Sequence, residues 1–400
     1  MATDRYVIVG AGLAGAKAAE ALREQGFAGE IVLVGKETHL PYERPPLSKD
    51  FLAGKAEQDS FTVHPASWYD DNRIDLRRGV SVTAIDRPAH QVELSDGTRI
   101  GYTKLLLATG ATPRTLPNAD PAAVRYLRTV EDSARIRHAL TDGARIVVIG
   151  AGWIGLEVTA AARQAGASVT VLEYAELPLL RVLGPELGTV FASLHAEHDV
   201  DLRFNARIDA IGADGVRLAD GTLIEADAVV VGIGAAPDTA LADAAGLDVD
   251  NGVLVDAALR TSDPDIFAAG DIANALHPTL GRRIRVEHWA NALNQPATAA
   301  TAMLGGDAHY DELPYFYTDQ YDLGMEYVGY ADVDDYDRVI YRGNVDAREF
   351  IAFWLKDNKI LAGMNVNVWD VVDPIKALIR SGRAVDPNRL ADPDVPLDEV

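Results

Sequence analysis

The chain has 400 residues, room for roughly two to three domains at ~150 residues each, and its 48% hydrophobic and 24% charged content is that of a globular protein with large cores. Sixty acidic side chains against 37 basic ones leave a net charge of −23, a field that repels nucleic-acid backbones and anionic lipid and argues against either as a partner. With no cysteine, the chain cannot form a disulfide, a thiolate nucleophile or a cysteine-ligated metal centre. No apolar run reaches the ~18 residues of a membrane span, and Met1–Arg5 leads into a strand-like run without a charged-then-apolar leader, so the expected location is the cytoplasm.

The first segment reads as a buried strand over Tyr6–Val9, a turn with Gly10, Gly12 and Gly15, an alanine-rich helix to Arg23, and a second strand at Ile31–Val34. This is the opening of a doubly wound sheet. The pattern recurs 140 residues later. A strand at Arg145–Ile149 precedes Gly150, Gly152 and Gly155, a helix runs to about Ala165, and a strand follows at Ser168–Leu172. Hairpins are expected around Asp96-Gly97 and Asp220-Gly221, followed by strands Lys104–Leu107 and Ala228–Val231. After about residue 313 aromatic residues rise and strands alternate at Phe350–Leu355 and Lys359–Met364, with a helix over Pro374–Ser381. The tail Val385–Val400, with five acids and three prolines, reads as extended over the surface. The expected class is α/β: two Rossmann-like dinucleotide-binding domains, for FAD and NAD, plus a C-terminal α+β interface domain. The boundaries are 1–112 and 245–315 for FAD, 113–244 for NAD and 316–400 for the third domain.

Each glycine turn has a chemical reading. Gly10 makes the tight turn, Gly12 lets backbone approach a pyrophosphate, and Gly15 brings helix and strand together. The helix start at Leu13 and Ala14 offers unpaired N–H groups to phosphate. In the second unit Gly150, Gly152, Trp153, Ile154 and Gly155 do the same, with Gly234 after the later strand. Glu173, at the end of the following strand, suits the two hydroxyls of an adenosine ribose and repels a 2′-phosphate. No Arg or Lys stands at 174–176, so NADH is expected over NADPH. In the first unit the same position is Gly35, and Glu37 is the nearest carboxylate. Ala108, Thr109 and Gly110 end a strand, and Gly270-Asp271 offers a carboxylate to a ribityl hydroxyl. His195 and His198 sit one turn apart, which suits two surface histidines better than a metal pair. No metal is expected.

These residues, with the segment Leu40–Lys49 that carries Arg44, Pro45 and Pro46, resemble the FAD-dependent, NADH-utilising ferredoxin reductases of bacterial oxygenase systems, the putidaredoxin-reductase type, over essentially the whole chain. The resemblance implies that Arg44, Lys49, Val82 and Arg128 lie along the FAD. It also implies that Glu287, His288 and Trp289 flank the flavin's pyrimidine edge, and that Tyr317 stands where many relatives have Trp. It gives Glu157 a place at the nicotinamide amide, Arg181 one at the adenosine end, and Asp319-Gln320 the start of the interface domain. Without cysteine, electrons arriving at the flavin as a hydride leave directly to an external acceptor, and no catalytic acid or base is required. The partner implied is a [2Fe–2S] ferredoxin serving a cytochrome monooxygenase or ring-hydroxylating dioxygenase. Rubredoxin, a small quinone or radical, or a redox-responsive role like that of apoptosis-inducing factor are the alternatives. Candidate basic docking residues are Arg73, Arg77, Arg78, Arg282, Arg283, Arg285, Arg342 and Arg348.

Overall fold

The structure, a computed structural model, describes residues 4–117 and 119–400. The chain divides into two units by its internal packing. The first holds the residues up to Glu43, Gln58–Thr112 and Ala235–Pro314; the second holds Arg44–Glu57, Pro113–Gly234 and Tyr315–Val400.

In the first unit a parallel sheet runs in the order Ile266–Ala268, Lys104–Leu107, Arg5–Val9, Glu30–Gly35, Ile74–Arg78. Four of its strands are near-continuous apolar runs, as in a parallel sheet covered on both faces, whereas the edge strand Ile74–Arg78 alternates with charged residues. Val7, Ile8, Leu33 and Leu105–Leu107 are fully buried. Helix Leu13–Glu24 follows the glycine turn, and its Ala16, Ala18 and Ala19 are small enough to let helix Trp289–Met303 pack close. A three-stranded antiparallel sheet, Val82–Asp86, Gln91–Leu94 and Arg99–Gly101, carries the expected Asp96-Gly97 turn, where Asp96 Oδ1 accepts from Thr98 N at 2.9 Å.

The second unit repeats this plan. Its parallel sheet orders Asp201–Arg203, Ser168–Leu172, Arg145–Ile149, Ala228–Val231 and Val124–Arg125. Helix Trp153–Gln164 follows the turn. Helix Leu180–Glu197 is interrupted at Gly184, whose φ of 82° and ψ of 176° are not helical, just before Pro185. The segment Arg44–Glu57 belongs here, fastened where Ser133 Oγ donates to Leu47 O at 2.7 Å. Residues 315–400 form a five-stranded antiparallel sheet with Leu323–Gly329, Lys359–Val366 and Glu349–Lys356 at its centre, and helix Val372–Ser381 lies on it through Ile375. Phe350, Phe353 and Trp354 are wholly buried there, each burial stabilising the fold by about 2–3 kcal/mol.

The tail differs from the run extended over the surface expected of it. Asp386 caps a short helix, Pro387–Ala391, by accepting from Asn388 N at 2.9 Å, and Val385, Leu390 and Val400 are buried. Arg342 holds this segment: its guanidinium donates to the carbonyls of Leu390, Asp392, Pro393 and Val395 at 3.3, 2.7, 3.2 and 2.5 Å. The acids and prolines that suggest a solvated tail sit between apolar anchors spaced too widely to register as a strand or helix.

Candidate functional site

The two glycine turns share one construction. Gly10, at φ 111°, lies so close to Ala108 that a Cβ would sit 2.2 Å from its carbonyl oxygen; Gly150, at φ 97°, meets Gly232 O in the same way at 2.4 Å. A Cβ on Gly15 would fall 1.9 Å from Gly10 O, and on Gly155 2.0 Å from Gly150 O. These glycines are therefore dictated by the backbone itself. Gly12 is different: it begins the helix in extended backbone, and nothing lies within 4 Å of its missing Cβ. No side chain caps either helix start, and neither first turn carries an acid. Each turn thus forms a cradle that leads into a helix start without a side-chain cap, which fits a pyrophosphate.

Around the first cradle, Gly270 lies against the first helical turn, with Ala14 Cβ 3.1 Å from where its own Cβ would be, and its N–H donates to Gln295 Oε1 at 2.8 Å. Asp271 follows in the turn after strand Ile266–Ala268. Ala108 N donates to Val9 O at 2.7 Å, Thr109 Oγ1 to Asp238 O at 2.9 Å, and Gly110 O accepts from Asp238 N at 2.9 Å. Glu37 accepts from Tyr42 Oη at 2.5 Å, and Val82 starts its strand half-buried. His288 immediately precedes helix Trp289–Met303, and burial pushes its pKa down to about 4, so the imidazole is neutral. Trp289 Nε1 donates to Glu43 at 2.9 Å, and Glu287 pairs with Arg285 at 2.6 Å.

In the second unit Glu173 closes over its own cradle. Oε2 accepts from Ala151 N at 2.7 Å and Oε1 from Ala175 N at 2.8 Å. Leu179 N donates to Ala151 O at 3.1 Å, which draws the start of the helix bearing the exposed Arg181 to the turn. Trp153 packs edge-on against Phe191 and tilted on Phe316, ring centres 5.5 and 5.0 Å apart, while Ile154 is 44% exposed. Gly234 O accepts from Arg114 N. One residue escapes sequence reasoning here. Arg207 lays its guanidinium 3.5 Å from the centre of the Tyr174 ring and donates to Tyr174 O, putting a cation on the residue that follows Glu173, which a search of 174–176 cannot find.

Residues expected at different cofactors meet in this unit. Glu157, almost fully buried, accepts from Lys49 Nζ, from Ser48 Oγ at 2.5 Å and from Thr318 Oγ1 at 2.6 Å. The Lys49 ammonium also lies 5.5 Å from the centre of the Tyr317 ring. Beside them Asp319 is held above its usual range, chiefly by desolvation; Lys49 draws it back down, and the charges of Glu157, Asp50 and Glu326 push it up. Arg44 donates to Arg128 O, joining those two expected flavin neighbours.

Other expectations change. His195 is not on the surface: it is fully buried, and desolvation takes its pKa down to about 4. Its two ring nitrogens face Gln320 and Tyr321, so it does not pair with His198. Among the described residues no group of three or more His, Asp or Glu is placed to hold a metal ion. Several candidate docking arginines serve the fold: Arg283 donates to Val255 O and Asn274 O, Arg285 binds Asp271 O and Glu287, Arg342 clasps the tail, and Arg348 pairs with Glu197. No described helix is long and apolar enough to cross a membrane.

A chain that builds the dinucleotide cradle twice, each at the head of its own parallel sheet, is a two-nucleotide oxidoreductase in architecture. It belongs to the pyridine nucleotide-disulphide oxidoreductase family, whose description matches residues 4–296, and residues 315–400 match the reductase C-terminal family. It is 44% identical to the ferredoxin–NAD(+) reductase component of the anthranilate 1,2-dioxygenase system of Burkholderia cepacia, over 99% of both chains. It is 41% identical to putidaredoxin reductase of Pseudomonas putida, over 100% of this chain and 97% of that one. Among solved structures, the covalent putidaredoxin reductase–putidaredoxin complex superposes with a TM-score of 0.95 at 41% identity, covering 100% of this chain and 98% of that one. The disulphide of the family's name has no counterpart in this cysteine-free sequence.

Proposed function

We propose that this chain is an NADH-dependent flavoprotein reductase that passes electrons through FAD to a [2Fe–2S] ferredoxin serving a cytochrome monooxygenase or a ring-hydroxylating dioxygenase. FAD supplies the conversion of one two-electron arrival into two one-electron departures. The observation that carries the reading is the meeting of Lys49 and Tyr317, expected along the flavin, with Glu157, expected at the nicotinamide amide. In this reading Gly10, Gly12 and Gly15 admit the FAD pyrophosphate, and Asp271 receives a ribityl hydroxyl. Glu173 binds the adenosine ribose of NADH, and Arg181 lies at its adenosine end. Lys49 pairs with the buried Glu157 side chain and aims it, so that it can accept from an amide N–H. The neutral imidazole of His288 would add no charge beside the flavin's pyrimidine edge. The functional boundaries are those read from the sequence, 1–112 with 245–315, 113–244 and 316–400, and the protein works in the cytoplasm.

The test is stopped-flow reduction of the purified holoprotein by NADH, followed by cytochrome c reduction with and without added [2Fe–2S] ferredoxin. Fast flavin bleaching and ferredoxin-dependent cytochrome c reduction are expected. Turnover with a quinone or rubredoxin but with no ferredoxin tried would overturn the acceptor assignment. Slow bleaching with a long-lived charge-transfer band would overturn the enzymatic reading itself.

A further inference from the structure

A chain of hydrogen bonds links His195, which the reaction does not otherwise use, to Glu157. Tyr321 Oη faces His195 Nδ1 at 3.3 Å, His195 Nε2 faces Gln320 Oε1 at 2.8 Å, Gln320 Nε2 donates to Thr318 Oγ1 at 3.2 Å, and Thr318 Oγ1 donates to Glu157 Oε1 at 2.6 Å. His195, Gln320, Thr318 and Glu157 are all buried.

We propose that His195 is a positioning residue for NADH, acting through Gln320 and Thr318 to fix the carboxylate of Glu157. The inference rests on the reading of Glu157 as the acceptor for the nicotinamide amide.

The argument is one of donors and acceptors. The Thr318 hydroxyl has one proton and two neighbours that could take it, Glu157 and the side-chain amide of Gln320. While Gln320 presents its N–H to Thr318, the proton has only Glu157 to go to. If the amide turned over, its oxygen would face Thr318 and compete for that proton. His195 prevents the turn, because its Nε2–H needs the amide oxygen on its own side. Tyr321 in turn fixes the tautomer. Burial raises its phenol well above the usual range, so the phenol stays protonated and donates a hydrogen bond to Nδ1, which leaves the imidazole hydrogen on Nε2. Burial also keeps His195 neutral, so Nδ1 stays an acceptor. Each member thus orients the next, and the order ends on a carboxylate whose other donors, Lys49 and Ser48, come from a different segment.

The experiment uses FAD-loaded protein and two measurements: the dissociation constant of NAD+ by equilibrium dialysis, and the KM and kcat for NADH with ferricyanide. His195→Phe and Thr318→Val are each expected to weaken NAD+ binding and raise KM about tenfold, with kcat within about twofold, as loss of one charge-assisted hydrogen bond predicts. The double variant should be no worse than about twofold beyond either single one, because both break the same chain. His195→Gln, which returns an N–H near the place of Nε2, should recover most of the affinity. In the unaltered protein, 15N-edited NMR of labelled histidine should show one imidazole locked with its proton on Nε2, and Tyr321→Phe should unlock it. Should His195→Phe fail to hold FAD, Thr318→Val and Tyr321→Phe carry the test. Glu157→Gln separates the two levels. If it raises KM while His195→Phe and Thr318→Val leave KM alone, or if their effects multiply, the positioning role is wrong and the Glu157 reading stands. If Glu157→Gln itself changes nothing, both fall.

Discussion

Replacing Glu173 by Gln should change which nicotinamide dinucleotide the protein prefers. In the structure this carboxylate sits over the second glycine turn, bonded to the N–H groups of Ala151 and Ala175, and Arg207 lies one residue away on Tyr174. A ribose hydroxyl donating to a carboxylate rather than to an amide gains about 1.5 kcal/mol. A 2′-phosphate about 6 Å from a half-exposed carboxylate is repelled by a similar ~1.5 kcal/mol once solvent and salt are allowed for. The two effects act in opposite directions on NADH and NADPH, so the ratio of their kcat/KM values should move by about 3 kcal/mol, roughly 150-fold. Steady-state kinetics with ferricyanide read this directly. In the same background Arg207→Ala should remove about tenfold of the NADPH gain, because its guanidinium, laid on the ring of Tyr174, is a cation placed to receive the phosphate. If Glu173→Gln moves the ratio by less than about threefold, the carboxylate does not touch the ribose and the assignment is wrong.

Gly12→Ala should leave folding intact, since φ at Gly12 is −90° and the space around it is open, yet the methyl would fill the cradle. Flavin content by absorbance should fall at least tenfold while circular dichroism is unchanged; Gly15→Ala, by contrast, should not give soluble protein. Lys49→Met strands the buried Glu157 carboxylate and should lower unfolding free energy in urea by about 3 kcal/mol, and an unaltered midpoint would show that the ammonium is dispensable. Arg342→Met should expose the segment 386–396 to limited proteolysis well below the melting temperature, a cleavage absent from the unaltered protein. For pH, an ordinary imidazole titrates near 6.5 while His195 and His288 titrate near 4. Between those values the unfolded chain binds protons that the native chain does not. Stability is therefore lost as pH falls from 6.5 toward 4, by up to about 3 kcal/mol per imidazole. Urea midpoints at pH 7 and pH 5 measure it, and equal midpoints would contradict neutral burial.

What the sequence revealed follows from how local each signal is. Strand, glycine turn and helix form one continuous stretch, so Arg5–Glu24 and Arg145–Gln164 read out almost residue for residue. The Asp-Gly hairpins were equally plain, because turn geometry is set within four residues. Contacts across the fold were not. Nothing near His195 announces that residue 320 will cover it, and a one-turn histidine pair looks the same whether exposed or buried. Arg207 is 33 residues from Tyr174 in the chain and becomes its neighbour only through the pairing of Ser168–Leu172 with Asp201–Arg203. The tail misled because its acids and prolines outnumber the three apolar side chains that anchor it. The resemblance assigns Lys49 and Glu157 to separate nucleotides, and only folding joins them.

The strand ends beside the two cradles carry opposite residues for a steric reason. Gly35 faces Ala11 so closely that any Cβ would come within 2.5 Å of the alanine methyl, whereas Glu173 reaches across the equivalent Ala151 to its N–H. The two halves are therefore not interchangeable parts. Transplanting the acidic residue into the first half would collide with its own loop before any ligand arrived, so an engineer wishing to swap nucleotide tastes must rebuild the loop and the strand tip together.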